Sequence, residues 1–263
     1  MINIDLLKKD LELIRKKSPL IHNITNLVVM NNTANGLLAI GASPVMAHSL
    51  HEVADMTKIS SALVLNIGTL DTNQIQAMEK SAQMAKQLNI PIVFDPVGAG
   101  ATPYRDECCK YIIEKCSPTI IRGNASEIMA IQNTQTQTKG VDSTFKSADA
   151  LNAAKLLAKE TKTIVVVSGN IDYITDGQKV EKVTNGHPMM EKVTGMGCTA
   201  TAIIASFAAI NSNPFLAAAH GMVVMGIAGE IAAGYSKGNG SLQMNFLDEL
   251  YQLTGKTIQK NIK

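Results

Sequence analysis

The chain has 263 residues, a length that suits one large α/β domain or two small ones. Its 24 basic and 22 acidic residues give a formal charge of +2, so no strong field directs it to nucleic acid or to a membrane. Aromatic residues make up 4% of the chain and Trp is absent, which disfavours a base-stacking surface. We therefore expect a small-molecule partner, with no nucleic-acid and no membrane partner.

The chain alternates between segments typical of helices and of strands. An amphipathic helix is predicted first, in "MINIDLLKKDLELIRKKSP". Short apolar runs then follow one another, with segments of helical length between most of them: "PLIHNIT", "SPVMA", "SALVLNIG", "IPIVFDP", "PTIIRGN" and "TIVVVSG". Near-continuous apolar strands that alternate with helices predict a mostly parallel sheet covered on both faces, an α/β three-layer sandwich.

Local signals add detail to this pattern. Ser49 to Glu52, "SLHE", is predicted to form a capping box that opens the helix after the second strand. Two polar strands around Asp176 and Gly177 predict a hairpin, a structure that suits a sheet edge. The polar segment 132–144 has no apolar period and is predicted to be a surface loop. No repeat or linker divides the chain, so one domain is expected over residues 1–263.

The later part of the chain contains a long uncharged run, from residue 193 to residue 229. The sequence "NSNP" at 211–214 interrupts it, and each piece is expected to be shorter than a membrane-spanning helix needs. Two buried helices are therefore predicted.

The four cysteines do not suggest disulfides or a zinc site. Cys108, Cys109 and Cys116 fall in one predicted helix, "RDECCKYIIEKC", and Cys198 stands alone. No C-x-x-C pair exists for zinc, and adjacent cysteines would form only a strained ring. This usage predicts a reduced, cytoplasmic protein.

Polar or flexible residues end the predicted strands at their carboxyl ends, where a parallel sheet binds its ligands. These residues are Gly68, Asp95, Arg122, Asn124, Glu127 and Ser168. Taken singly, Asp95 is typical of a turn and Glu127 of the first turn of a helix. Taken together, two carboxylates, an arginine and a glycine-led helix start are the components of phosphoryl transfer.

That glycine-led start is the stretch "VTGMGCTATAIIASF", residues 193 to 207. Gly195 and Gly197 directly precede an apolar, alanine-rich segment, where backbone N–H groups would point at an anion. Cys198 beside them is either a reactive group or a small residue that shapes the pocket.

Five motifs carry a resemblance to a known family. They are "HNITNLVVMNNTANGLLAIGASPVMAHS", "LVLNIGTL", "DPVGAGAT", "IRGNASEI" and "VTGMGCTATA". In order and spacing they resemble the hydroxyethylthiazole kinases of thiamin salvage, members of the ribokinase-like superfamily. The resemblance implies a ribokinase-like fold and ATP-dependent phosphorylation of 4-methyl-5-(2-hydroxyethyl)thiazole, with ATP as co-substrate and Mg²⁺ as cofactor. It also implies a homotrimer.

The same resemblance implies a role for individual residues. Asp95 and Glu127 would organise Mg²⁺, and four residues would contact ATP: Arg122, Asn124, Ser168 and Thr194. Gly195 and Gly197 would form the anion hole of the transferring phosphoryl group. The substrate would be bound by Asn26, Met46, Gly68 and Gly195.

Cys198 departs from the wider superfamily, which places an aspartate there as base. A helix N-terminus favours a thiolate, so Cys198 is expected to position the substrate hydroxyl and to be able to accept its proton. The alternative is a small residue that fits the pocket.

Other functions stay open at this point. A kinase of the same fold could act on another vitamin-precursor alcohol, such as hydroxymethylpyrimidine, and a non-catalytic protein could bind the thiazole as a sensor. A cysteine hydrolase would need a histidine near Cys198, and the candidate is His187. A nicotinamide-dependent oxidoreductase is disfavoured because the G-x-G-x-x-G fingerprint is absent.

Overall fold

A computed structural model describes residues 2–132 and 146–263, so most of the predicted loop at 132–144 lies outside the described residues. The strands are β1 (Leu20–Ile24), β2 (Ser43–Val45), β3 (Ala62–Asn66), β4 (Ile92–Asp95), β5 (Ile120–Asn124), β6 (Ile164–Ser168), β7 (Asp172–Thr175) and β8 (Val180–Val183). The helices are α1 (Ile4–Lys17), α2 (Met30–Ile40), α3 (Val53–Lys58), α4 (Thr72–Gln87), α5 (Pro103–Cys116), α6 (Ala125–Ile131), α7 (Leu151–Thr161), α8 (Met196–Ala208), α9 (Pro214–Ala233), α10 (Asn239–Gln252) and α11 (Gly255–Asn261).

The strands form one sheet in the order β2-β1-β3-β4-β5-β6-β7-β8. Every pair from β2 to β6 is parallel, and only the pairs β6–β7 and β7–β8 are antiparallel. The mostly parallel sheet is therefore confirmed. The hairpin is also confirmed, with β8 at the sheet edge, and every residue of β7 is buried although the strand contains polar residues.

Alternation along the strands builds a separate core on each face of the sheet. In β6, Ile164 and Val166 face one core, whereas Val165 and Val167 face the other. The first core is completed mainly by α1, α2, α8, α9 and α10, and the second by α4, α5, α6 and α7. Helices on both faces of a central sheet make the three-layer sandwich that the sequence predicts.

The predicted capping box at Ser49 is wrong. The backbone N–H groups of Glu52 and Val53 both donate to the carbonyl oxygen of Ser49, so residues 49–52 form a turn. The helix begins only after that turn, at Val53, and no side chain caps it. A true capping box occurs at α6, where Asn124 and Glu127 bond reciprocally to each other's backbone N–H.

The long uncharged run forms two helices, as predicted, but the second is longer than expected. α9 has 20 residues, and its length and composition would allow it to cross a membrane. Yet 78% of its most apolar 18-residue stretch is buried inside the protein, where the helix packs between α8 and α10. Small residues permit this packing, because a Cβ on Gly221 would lie 2.9 Å from the Cα of Ile204.

The strand order also fixes where a ligand site forms. From β1 the chain moves outward to β2 and then returns to the other side of β1 to form β3. Such a reversal leaves a crevice at the carboxyl ends of the two strands, and open α/β sheets bind ligands there. Asn26 follows β1 and Asn66 ends β3, so both residues lie at this crevice.

Candidate active site

The site residues predicted from the sequence lie at or near the carboxyl ends of the strands, in a row whose order is set by the sheet. Met46 follows the edge strand β2, Asn26 follows β1, and Gly68 follows β3. Asp95 ends β4, and the row continues through the residues of the next two strands, which are Arg122, Asn124 and Ser168. The N-terminus of α8 comes next to the middle of this row, because α8 packs against β3 and β4.

Asn26 is held tightly at the crevice. Its Nδ2 donates to Asn66 Oδ1 at 2.8 Å and to the sulfur of Cys198 at 3.5 Å. A Cβ on Gly68 would lie 2.7 Å from Cγ of Asn26, so the glycine lets the amide pack against its backbone. The structure thus brings Asn26, Gly68 and Cys198 together.

Two of the expected residues are less closely integrated. Met46 is half-buried at the outer end of the row, and its carbonyl oxygen lies 3.1 Å from Nδ1 of His48. Thr194 is exposed, and its carbonyl oxygen accepts a hydrogen bond from Asn32 at 3.3 Å. Thr194 and Gly195 border a small cavity of about 20 Å³ between α2, α8 and α10.

Asp95 is almost fully buried and only one of its oxygens is bonded. Oδ2 accepts hydrogen bonds from Asn66 Nδ2 at 2.9 Å and from Thr201 Oγ1 at 2.8 Å. Oδ1 has no hydrogen-bond partner among the described residues. An unsatisfied buried carboxylate oxygen is costly and needs an explanation, and a bound cation supplies one.

Glu127 already serves the backbone around it. Its Oε1 accepts the N–H of Gly98 at 2.9 Å and its Oε2 accepts the N–H of Asn124 at 2.8 Å. These bonds tie the loop after β4 to the start of α6. Both oxygens retain lone pairs, so Glu127 can still contribute to a cation through water.

Electrostatics around these two carboxyl groups favours a cation. Burial raises the pKa of Asp95 above its ordinary value. The pKa of Glu127 is raised to about 7, mainly because the side chain is buried and also because the negative charge of Asp95 is nearby. Within residues 2–132 and 146–263, no three His, Cys, Asp or Glu side chains form a metal cluster. Two carboxylates completed by water or phosphate oxygens suit Mg²⁺, which keeps part of its hydration shell.

Arg122 lies beside both carboxyl groups, and its positive charge partly offsets the rise in the pKa of each. Its Nη2 donates to Ser168 Oγ at 2.6 Å, while its buried Nε has no partner in the described part of the chain. A Cβ on Gly197 would lie 2.7 Å from Nη1, so the guanidinium rests against the glycine at the start of α8. The structure therefore joins Arg122, Ser168 and Gly197.

The start of α8 offers backbone donors. Gly195 caps the helix at φ +84°, and a Cβ there would lie 2.9 Å from Val29, so only glycine fits. No side chain caps α8, and the N–H groups of Gly197 and Cys198 find no acceptor among the described residues. Free N–H groups at a helix N-terminus bind anions.

That Cys198 positions the substrate hydroxyl stays a prediction, but its surroundings disfavour the thiolate that the helix N-terminus alone would favour. Burial, and then the nearby carboxylate of Asp95, raise the pKa of Cys198 to about 12. The helix N-terminus does not compensate for these two effects, so the side chain is a thiol at neutral pH. Its hydrogen-bonding neighbours are Asn26, Asn66 and Asp95, and no histidine is among them. A cysteine hydrolase is thereby disfavoured.

Sequence reasoning missed four residues that organise the site. Asn66 and Thr201 hold Asp95, and the polar end of the strand "ALVLN" was the available signal for Asn66. Arg105 donates to the carbonyl oxygens of residues 67, 68 and 97, which ties two strand-end loops together. Asp172 accepts the N–H of Gly169 at 2.9 Å, and burial raises its pKa to about 7.

The sequence model that describes the hydroxyethylthiazole kinase family matches residues 11–256 of this chain. This chain belongs to that family. A hydroxyethylthiazole kinase of Leptospira biflexa serovar Patoc is 52% identical over 254 residues, which cover 97% of this chain and 95% of the relative. The family relationship shows that the protein is a kinase. It does not favour the two alternatives considered from the sequence, a kinase of hydroxymethylpyrimidine and a non-catalytic thiazole sensor.

Solved structures agree with the fold. The structure of a hydroxyethylthiazole kinase from Pyrococcus horikoshii OT3 has a TM-score of 0.90 and 37% identity, and the match covers 98% of both chains. A ribokinase-like superfamily protein from Enterococcus faecalis V583 has a TM-score of 0.65 at 12% identity and covers 97% of this chain and 96% of its own. The fold is therefore ribokinase-like, as predicted.

Substitution of Cys198 distinguishes a base from a positioning group. Loss of a general base would reduce kcat about 100-fold or more. Loss of one positioning contact would cost about tenfold, the factor that roughly 1.4 kcal/mol supplies. We expect Cys198→Ala to reduce kcat about tenfold with the KM for ATP unchanged, and Cys198→Ser to retain most activity because a hydroxyl keeps the hydrogen bonds. Steady-state kinetics would measure both, and an equally large loss in the serine and alanine variants would contradict the positioning role.

Proposed function

We propose that this protein transfers the γ-phosphoryl group of ATP to the side-chain hydroxyl of 4-methyl-5-(2-hydroxyethyl)thiazole. The P–O bond to ADP breaks while a new bond forms between phosphorus and the hydroxyl oxygen, and the hydroxyl proton passes to a phosphoryl oxygen or to water. The observation that carries the proposal is the row of strand-end residues beside the start of α8, which no side chain caps. A single kinase domain over residues 1–263 is part of it, supported by the one continuous sheet.

The end of the row at β2, β1 and β3 is the proposed thiazole side. Asn26, Gly68 and Met46 would bind the ring and its hydroxyethyl arm, with Gly195 bordering the same space from α8. Cys198 stands between this side and Asp95, so its thiol is suited to orient the hydroxyl. Positioning alone is effective in this chemistry, because the transition state is loose and little covalent assistance is needed.

The end of the row at β4, β5 and β6 is the proposed nucleotide side. Arg122 would meet phosphate oxygens with its free Nε, and Ser168, Asn124 and Thr194 would contact ATP around it. The N–H groups of Gly197 and Cys198 would stabilise charge on the γ-phosphoryl group during transfer. Asp95 and Glu127 would hold Mg²⁺, which neutralises phosphate charge when bound.

We also propose a homotrimer in the cytoplasm. Large apolar side chains are exposed in the part of the chain that forms β1 to β3. Leu27 and Val28 directly follow β1 and are 71% and 66% exposed, whereas Leu38 on α2 and Ile59 before β3 are 58% and 67% exposed. Contact between subunits would cover them. The four cysteines are free thiols, which suits a reducing compartment.

The oligomer is tested by light scattering coupled to size exclusion. A trimer is expected at about three times the 28.1 kDa of one chain. A mass equal to one chain at micromolar concentration would contradict the assembly and leave the proposed reaction untouched.

The reaction is tested by Mg²⁺-dependent ADP release from the purified protein, with hydroxyethylthiazole and hydroxymethylpyrimidine compared side by side. Turnover with the thiazole, abolished by a chelator, is the expected result. Turnover with the pyrimidine alone would agree with the residue roles proposed for the nucleotide side and would contradict those proposed for the thiazole side. If neither alcohol gives ADP release, the proposed function is wrong.

A further inference from the structure

Asn66 is a fully buried amide at the end of an otherwise apolar strand. Every residue of β3, "ALVLN", is buried, and Asn66 itself is 0% exposed. An apolar side chain would serve the packing of this strand equally well, because a buried amide is unfavourable unless its hydrogen bonds are satisfied. The amide is therefore best explained by what it contacts.

Its two polar atoms face opposite halves of the site. Oδ1 accepts hydrogen bonds from Asn26 Nδ2 at 2.8 Å and from the N–H of Gly68 at 3.0 Å. Nδ2 donates to Asp95 Oδ2 at 2.9 Å. The backbone N–H of Gly68 can only donate, so the atom of Asn66 that faces it must be the amide oxygen, and this partner fixes which way the amide points.

The fixed orientation of Asn66 determines that of Asn26. Because Asn66 presents its oxygen to Asn26, Asn26 must present its Nδ2 in return. The same Nδ2 contacts the sulfur of Cys198 at 3.5 Å, so the chain of contacts runs from Cys198 and Asn26 through Asn66 to Asp95. It crosses the crevice between β1 and β3 and continues to β4.

We propose that Asn66 is a positioning residue that aligns the hydroxyl-binding side chains with the carboxylate Asp95. It would contact neither substrate itself and would act through Asn26, Cys198 and Asp95. This inference rests on the proposed function, because it assigns Asn26 to the thiazole and Asp95 to the nucleotide and its cation.

Thr201 allows the two halves of this role to be separated. Its hydroxyl, one turn beyond Gly197 on α8, donates to the same Oδ2 of Asp95 at 2.8 Å. It also bonds the carbonyl oxygen of Gly197 at 3.3 Å and has no hydrogen bond to Asn26. Loss of the Thr201 hydroxyl therefore removes a donor to Asp95 and a longer bond to Gly197, and it leaves the hydrogen bonds of Asn26 intact.

Three variants test the proposal through kcat, the KM for thiazole, and thiazole affinity by calorimetry without nucleotide. Asn66→Leu loses the hydrogen bonds to Asn26 and Gly68 as well as the one to Asp95. For this variant we expect kcat to fall about 100-fold, the KM for thiazole to rise about tenfold and the affinity for thiazole to fall about tenfold. Asn66→Asp keeps the acceptor for Asn26 and Gly68 but replaces the amide donor to Asp95 with a second carboxyl group, which repels the Asp95 carboxylate. For this variant and for Thr201→Val we expect kcat to fall about tenfold while KM and affinity stay within about twofold.

Matched controls separate positioning from general loss of structure. Asn23 is also 0% exposed, at the neighbouring strand β1, and its Nδ2 bonds only the carbonyl oxygen of Ile21 in the described structure. The hydroxyl of the buried Thr33 has no partner among the described residues. Asn23→Leu and Thr33→Val are expected to leave kcat and KM of the folded protein within about twofold of wild type. Melting temperatures of all variants identify any that are unfolded.

The outcomes distinguish this inference from the function on which it rests. If the wild type phosphorylates the thiazole and Asn66→Leu has the same kcat and KM, the inference is wrong and the function stands. It is also wrong if Asn66→Asp and Thr201→Val raise KM as much as Asn66→Leu does. A wild-type protein that neither binds nor phosphorylates the thiazole overturns the proposed function and this inference with it.

Discussion

The buried carboxylate of Asp95 imposes the main physical demand on the site. A carboxylate at 1% exposure is stable in its ionised form only with donors or a cation around it. Asn66 and Thr201 donate to one oxygen, Arg122 supplies nearby positive charge, and the second oxygen has no partner within the described residues. The surrounding elements are arranged to meet this demand, since β3 provides the amide, α8 the hydroxyl and β5 the guanidinium.

The parallel sheet places the residues proposed for the thiazole and those proposed for the nucleotide on opposite sides of this carboxylate. Reversal of the chain at β1 opens a crevice beside β3, and the strand order then leads from Asn26 past Asp95 to Ser168. The start of α8 lies between the two ends, where Gly197 makes room for Arg122 and Gly195 makes the turn into the helix. A phosphoryl group held there would lie between a hydroxyl on one side and ADP on the other.

The sequence was sufficient for the layers, the mostly parallel sheet and the edge hairpin, because apolar periodicity depends on local spacing. It also predicted which strand ends carry polar groups, since these groups interrupt apolar runs. The state of Cys198 was not predictable, because its pKa depends on burial and on Asp95, a residue 103 positions away in sequence. Asn66 was overlooked for a related reason, since its role depends on Asn26 and Asp95, which come from other strands.

The central claim is that substrate and nucleotide meet across Asp95. A crystal structure with hydroxyethylthiazole, Mg²⁺ and a non-hydrolysable ATP analogue tests it most directly. The account predicts the thiazole against Asn26 and Gly68, the γ-phosphate at the N–H groups of Gly197 and Cys198, and the cation near the unbonded oxygen of Asp95. A thiazole bound away from Asn26, or a γ-phosphate away from the start of α8, would contradict the account.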